Sequence, residues 1–184
     1  MKTKSANKPT SIAHPPNSGQ EQAAQEPPQT PASRPLTLKR ILVPVDFSAC
    51  SIGALDYAIA LGQKLGAKLV LLHVVEPAAY PENFLVTPAT LDEANQNLLT
   101  AGRERLASVR QRAIAQGLST ETLVRMGRAQ SEIPDTAKAI GTDLIVMGTH
   151  GYSGLKHALL GGTAERVVRH SACPVLTVRH PQGR

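Results

Sequence analysis

The chain of 184 residues contains no tryptophan, two phenylalanines and three tyrosines. Proteins that grip single-stranded nucleic acid set aromatic platforms in a basic groove, and so few aromatics without a stacking motif do not furnish one. The net charge of +6 does not restore that reading. Residues 1–36 carry +2 of it (Lys2, Lys4, Lys8 and Arg34 against Glu21 and Glu26), and the remaining +4 is dispersed through mixed-sign segments such as Gly102–Arg112. Nucleic acid is therefore not an expected partner, whereas a small anionic ligand suits the surplus. Cysteine is equally scarce. Cys50 and Cys173, with no CxxC and no Cys/His cluster at zinc spacing, exclude a disulfide framework and a zinc fold. No apolar run approaches the ~20 residues of a membrane span, and the N-terminus lacks a signal peptide's apolar stretch. The expectation is a cytoplasmic protein with no membrane partner.

What is present divides in two. Residues 1–36 hold seven of the fourteen prolines and no aromatic residue. Such a segment cannot bury enough apolar surface to offset its ordering entropy, which predicts a disordered arm at 1–36 and one domain over 37–184. A domain of that size buries roughly 68–70% of its extended-chain surface, enough for a core without disulfides or structural metal.

Within the domain, short apolar runs alternate with longer amphipathic ones. Lys39–Asp46, Ala67–Val75, Glu121–Met126, Asp143–Met147 and Pro174–Val178 are nearly continuous in Ile, Val and Leu, as strands covered on both faces require. Between them lie helical stripes. The first runs from an N-cap at Ser48 through Ile52, Leu55, Ile59 and Leu65 to a stop at Gly66. The second carries Leu99, Gly102, Leu106, Val109 and Ala113 and ends near Gly117. It begins either at Thr87 with Pro88 in first position or at Thr90 with Glu93 as a capping box. A third spans Ala129–Ile140, where Pro134 must fall in the first turn or shorten the helix. The last, Thr163–His170, turns Ala164, Val167 and Val168 inward. Strand and helix alternating through five strands is the pattern of a doubly wound α/β fold with a parallel sheet. The long segment Glu76–Thr87 then follows strand two at the carboxyl edge, where such folds bind ligands.

The most informative stretch is Met147–Thr163, MGTHGYSGLKHALLGGT, which starts where a strand ends and finishes where a helix begins. Glycine lets backbone N–H groups approach a ligand closely, and a helix N-terminus adds uncompensated donors, which together make a cradle for phosphates. The alternative is that these glycines only form turns and a tight helix–sheet contact. Asp46 ends strand one and is followed by Phe47-Ser48. If strands one and four are neighbours, Asp46 and Gly148 face one crevice, with a carboxylate for ribose hydroxyls or a base amine opposite the cradle. Capping of the first helix is a second role open to Asp46.

Over residues 38–180 the chain resembles the universal stress proteins: ILVPVDFS opens it, LVLLHVVE follows, and DLIVMGTHGYSGLKHALLGGTAERVVRHSACPVLTVR closes it. The family's nucleotide-binding members carry G-x2-G-x9-G-(S/T), and Gly148, Gly151 and Gly161 stand at the three glycine positions. Gly162 departs from the pattern, standing where Ser or Thr is usual, with the hydroxyl one residue later on Thr163. The resemblance implies a five-stranded parallel sheet in the order 3-2-1-4-5, the adenine nucleotide alpha hydrolase-like arrangement, and a homodimer joined through Pro174–Val178. It implies ATP, with Mg²⁺ or Mn²⁺ carried by the phosphates, held by Met147, Gly148, Thr149, Gly151, Gly161, Gly162 and Thr163. The adenosine end falls to Pro44, Val45, Asp46 and Val74.

Three functions of different class follow. The first is a nucleotide-binding stress-response or regulatory module that is at most a slow ATPase. The phosphate-loop pattern GxxxxGK(S/T) is absent, and no acidic metal pair or positioned base accompanies the glycines. The second is an enzyme on a related scaffold, but DFSACSIG follows strand one, where an adenylating pyrophosphatase shows Ser-Gly-Gly and a dehydrogenase GxGxxG. The third is a nucleotide-free dimeric scaffold, which the glycines disfavour and Gly162 keeps open. His73 reads as a hydrogen-bonded core residue, His150 as a turn residue, and Cys173 as a small buried apolar group. Cys50 near a helix start suits a redox sensor only if a partner exists.

Overall fold

A computed structural model describes residues 37–78, 87–150 and 160–179. The arm at 1–36, much of the loop after strand two, and residues 151–159 with Gly151 and Lys156 lie outside the described residues. The elements run β1 (Arg40–Pro44), α1 (Ala49–Leu65), β2 (Lys68–Val75), α2 (Pro88–Ile114), β3 (Thr120–Met126), α3 (Ala129–Ala139), β4 (Leu144–Gly148), α4 (Gly162–His170) and β5 (Val175–Val178). The strands form one parallel sheet in the order β3-β2-β1-β4-β5.

Both faces of the central strands are buried, which is why their sequences are apolar at every position rather than alternating. Ile41 and Val43 of β1 with Val45 just beyond it, Leu69 and Leu71 of β2 and Val146 of β4 face α1 and α2, packing on Ala54, Leu55, Ala58, Leu106 and Ala113. The intervening Leu42, Val70, Leu72, Ile145 and Met147 face α3 and α4, packing on Ile133, Ala137, Ala164 and Val167. A two-residue period thus builds two cores on one sheet.

The helix ends follow local chemistry. Ser48 Oγ accepts from Ser51 N at 3.2 Å to cap α1, and Gly66, with φ 66°, closes it. Of the two starts considered for α2, Thr87 with Pro88 prevails, Thr87 Oγ1 accepting from Thr90 N at 3.2 Å. Two expectations need correction. Pro134 sits in the second turn of α3 and the helix continues past it. The missing amide costs about 3 kcal/mol in a helix interior, and burial of Ile133, Pro134 and Ala137 offsets it. Val168 is 47% exposed rather than inward. α4 meets the sheet along Ala164 and Val167, and a residue roughly 100° further round the helix falls on its flank.

The start of β1 is tied to β4 by Asp143, whose Oδ2 accepts from Lys39 N at 2.8 Å and Arg40 N at 2.9 Å. At the far edge, β5 pairs with β4, and its Leu176 is 38% exposed. Among the described residues no helix is long and apolar enough to cross a membrane.

Candidate functional site

Strand order reverses at β1, which has β2 on one side and β4 on the other. The connections leave the sheet in opposite directions there, and a crevice opens at the carboxyl ends of the strands. It is occupied by a cavity of about 480 Å³. Small-molecule sites run from roughly 300 to 1,000 Å³, so the space suits a ligand of nucleotide size. Pro44, Val45 and Asp46 line it at and just after the end of β1, Val74 from β2, Met147, Gly148 and Thr149 at and just after the end of β4, and Gly161, Gly162 and Thr163 from the cap and first turn of α4. Ten of the eleven residues expected from the sequence therefore meet in one cavity; the eleventh, Gly151, is outside the described residues.

At the start of α4 no side-chain bond from the N-cap residue engages the first-turn amides. Gly161 is the N-cap, with φ −73° and ψ 154°, and as glycine it offers no side chain to the first-turn amides. Its own N–H donates to Thr149 O at 2.8 Å, and its carbonyl accepts the first helical bond from Glu165 N at 2.9 Å. The amides of Gly162, Thr163 and Ala164 follow, in the positions where a helix leaves its N–H groups without intrahelical partners. All three residues line the cavity. A Cβ on Gly162 would meet nothing within 4 Å. The aligned helix dipole adds partial positive charge at the same point.

Asp46 lines the same cavity and is exposed. Its Oδ1 accepts from Ser48 N at 3.0 Å and Ser48 Oγ at 2.6 Å. Capping of α1 belongs to Ser48, and Asp46 braces that cap from behind.

Gly148 lines the cavity and is also tightly packed from the side of α1. A Cβ there would lie 2.9 Å from Cys50 Sγ and 3.0 Å from the Cys50 carbonyl carbon. The first turn of α1 presses on β4 here, so the helix–sheet contact is by itself a sufficient reason for glycine at this position. Gly161 is similar, since a Cβ would meet Thr149 O at 3.1 Å.

A family model described as the universal stress protein family matches residues 37–179. The chain belongs to that family. Universal stress protein YxiE of Bacillus subtilis is 35% identical over 145 residues, covering 76% of this chain and 98% of its own length. Protein MJ0577 of Methanocaldococcus jannaschii superposes with a TM-score of 0.71 at 27% identity, covering 80% of this chain and 99% of the other. A universal stress protein solved in complex with cAMP shares the fold at 24% identity and a TM-score of 0.58, covering 79% and 99%.

In this universal stress protein the cavity also has walls that the sequence did not reveal: Ser51, Leu72, Ala129, Ile133, His150, Leu160 and Ala164. Ala164 read only as a core residue of an amphipathic helix and Ile133 carried no signal of its own, since nothing in their spacing marks the end of the core that faces the crevice. His150, expected as a turn residue, has Nδ1 3.0 Å from the buried Thr149 hydroxyl. Cys50 Sγ lies 3.6 Å from Val178 O and 3.9 Å from Thr149 Oγ1. Cys173 is half-buried rather than buried as expected, packed at the edge of the core under α3 and α4; partial burial holds its thiol above the ordinary value, with the Asp143 charge adding to the effect. Among the described residues no group of three or more His, Cys, Asp or Glu is arranged to hold a metal.

Proposed function

We propose that this universal stress protein binds an adenine nucleotide, ATP, in the crevice between Asp46 and the start of α4, and works as a stress-response or regulatory module. The observation that carries the reading is the meeting, in one cavity, of Asp46 with the glycine-capped N-terminus of α4. Phosphates would take the amides of Gly162, Thr163 and Ala164, with the Thr163 hydroxyl as a further donor. Asp46 would take ribose hydroxyls or the base amine, and the apolar walls at Val45, Val74 and Met147 would take the base. Mg²⁺ or Mn²⁺ would arrive on the phosphates and neutralise part of their charge.

The lysine of a phosphate-binding loop is missing from the sequence pattern, so hydrolysis on this reading is slow at most. The second copy of the chain enters through β5. An apolar edge strand is an aggregation hazard unless paired, and dimerisation through Val175–Val178 would cover Leu176. The reading of a nucleotide-free dimeric scaffold is favoured by one observation only, glycine at position 162.

Isothermal titration with ATP and Mg²⁺ tests the proposal, beside chromatography of the supernatant after the purified protein is denatured. The expected result is saturable heat, or adenine nucleotide carried through purification. No binding up to millimolar ATP would reject it.

A further inference from the structure

Phe47, directly after Asp46, has φ 66°, the one non-glycine residue with positive φ among the described residues. Its ring is held from two sides. The His73 imidazole lies 4.6 Å away between centroids at an interplanar angle of 53°, and the Arg105 guanidinium carbon stands 3.9 Å from the ring centre. A cation over an aromatic face is attracted by the ring quadrupole, so Arg105 on α2 pins the ring as well as covering it.

His73 also reaches the other flank of Asp46. Its Nδ1 is 2.7 Å from the Val45 carbonyl oxygen. A carbonyl only accepts, so Nδ1 carries the proton in this contact. Val45 N–H in turn donates to Leu72 O at 2.8 Å. One imidazole therefore grips the residues before and after Asp46. α2 leaves room for it, since a Cβ on Gly102 would meet His73 Cδ2 at 3.0 Å. The grip comes from the far face of the sheet: Leu72 and Val74 line the cavity, and His73 between them points toward α2.

We infer that His73 is a positioning residue for the nucleotide site, fixing with Phe47 and Arg105 the turn that aims the Asp46 carboxylate into the crevice. This rests on the nucleotide reading above. A bulky residue keeps a left-handed backbone only where its surroundings over-determine it. Released from His73, Phe47 relaxes toward extended φ, and the peptide between Asp46 and Ser48 rotates with it, carrying the carboxylate away from Ser48 and from the cavity.

The test is a double-mutant cycle read as ATP affinity by titration. The proteins are the parent chain, His73→Ala, Asp46→Ala and the double variant, each first checked for parent-like circular dichroism. His73→Ala should weaken ATP about tenfold when Asp46 is present and cause no further loss when it is absent. His73→Asn keeps an N–H donor for the Val45 carbonyl and should bind within about threefold of the parent. Equal losses in both backgrounds, no loss in the parent background, or no recovery with His73→Asn would each overturn the positioning role. If His73→Ala does not fold, Phe47→Ala replaces it in the cycle with the same expected outcomes, because it removes the ring that His73 and Arg105 hold and leaves a residue that disfavours this φ. A parent that binds no ATP, or an Asp46→Ala variant that binds as the parent does, instead rejects the nucleotide reading, and the positioning role falls with it.

Discussion

Replacing Gly148 by alanine separates two reasons for a glycine that a sequence motif merges. The added Cβ would stand 2.9 Å from Cys50 Sγ, 3.0 Å from the Cys50 carbonyl carbon and 3.1 Å from its oxygen. Carbon atoms in contact prefer about 3.5–4.0 Å, so α1 must retreat by roughly half an ångström or more. Two of the three close atoms are backbone, which a rotamer change cannot move. Overpacking of this kind costs about 1–3 kcal/mol. For a domain of this size each kcal/mol lowers the melting temperature by roughly 2–4 °C, giving an expected fall of about 2–12 °C. Differential scanning calorimetry without nucleotide measures it, and valine should exceed alanine. Adding Cys50→Ala should recover only part of the loss, because it removes one of the three close atoms. An alanine variant that melts with the parent yet no longer binds ATP would refute the packing argument and return Gly148 to the ligand.

Gly162→Ser should leave the melting temperature within about 2 °C of the parent and preserve or tighten ATP binding, because its Cβ enters open space at the helix start; a tenfold weaker titration would contradict it. Asp143→Ala strips the acceptor from the Lys39 and Arg40 amides. The expected cost is about 1–3 kcal/mol in denaturant unfolding, and a change below about 0.5 kcal/mol would show that water replaces the carboxylate. Glu121 is held below its ordinary value of 4.5, first by its hydrogen bond to Lys68 and then by the Lys68 charge. A carboxyl group lowered in the folded state stabilises it above its unfolded value, and that contribution is lost as pH falls through the folded value. The stability difference between the parent and Glu121→Gln should therefore be constant at neutral pH and vanish below pH 4.5; a difference that grows on acidification would reverse the sign.

Much of the fold was legible because its rules are local. The Ser48 cap, the Gly66 stop and the continuous apolar strands depend on neighbours within a few residues, and each appears where the residues place it. Pro134 and Val168 escaped, since a helix tolerates proline when burial compensates, and a helix flank is defined by what packs beside it. Of the site, the glycine loop and Asp46 were legible as chemistry. Ile133 and Ala164 were not, because a residue at the end of an apolar stripe looks the same whether it meets a side chain or a cavity.

By itself the sequence determined the alternation of elements, the family resemblance and which residues had the chemistry for phosphate and ribose. Tertiary structure alone decided why each stands where it does. It brought residues roughly a hundred positions apart into one cavity through the crossing at β1, and set the Gly148 backbone against Cys50. It also put His73 behind Asp46. Such contacts depend on how strands and helices stack in space, and no spacing along the chain encodes a distance between layers.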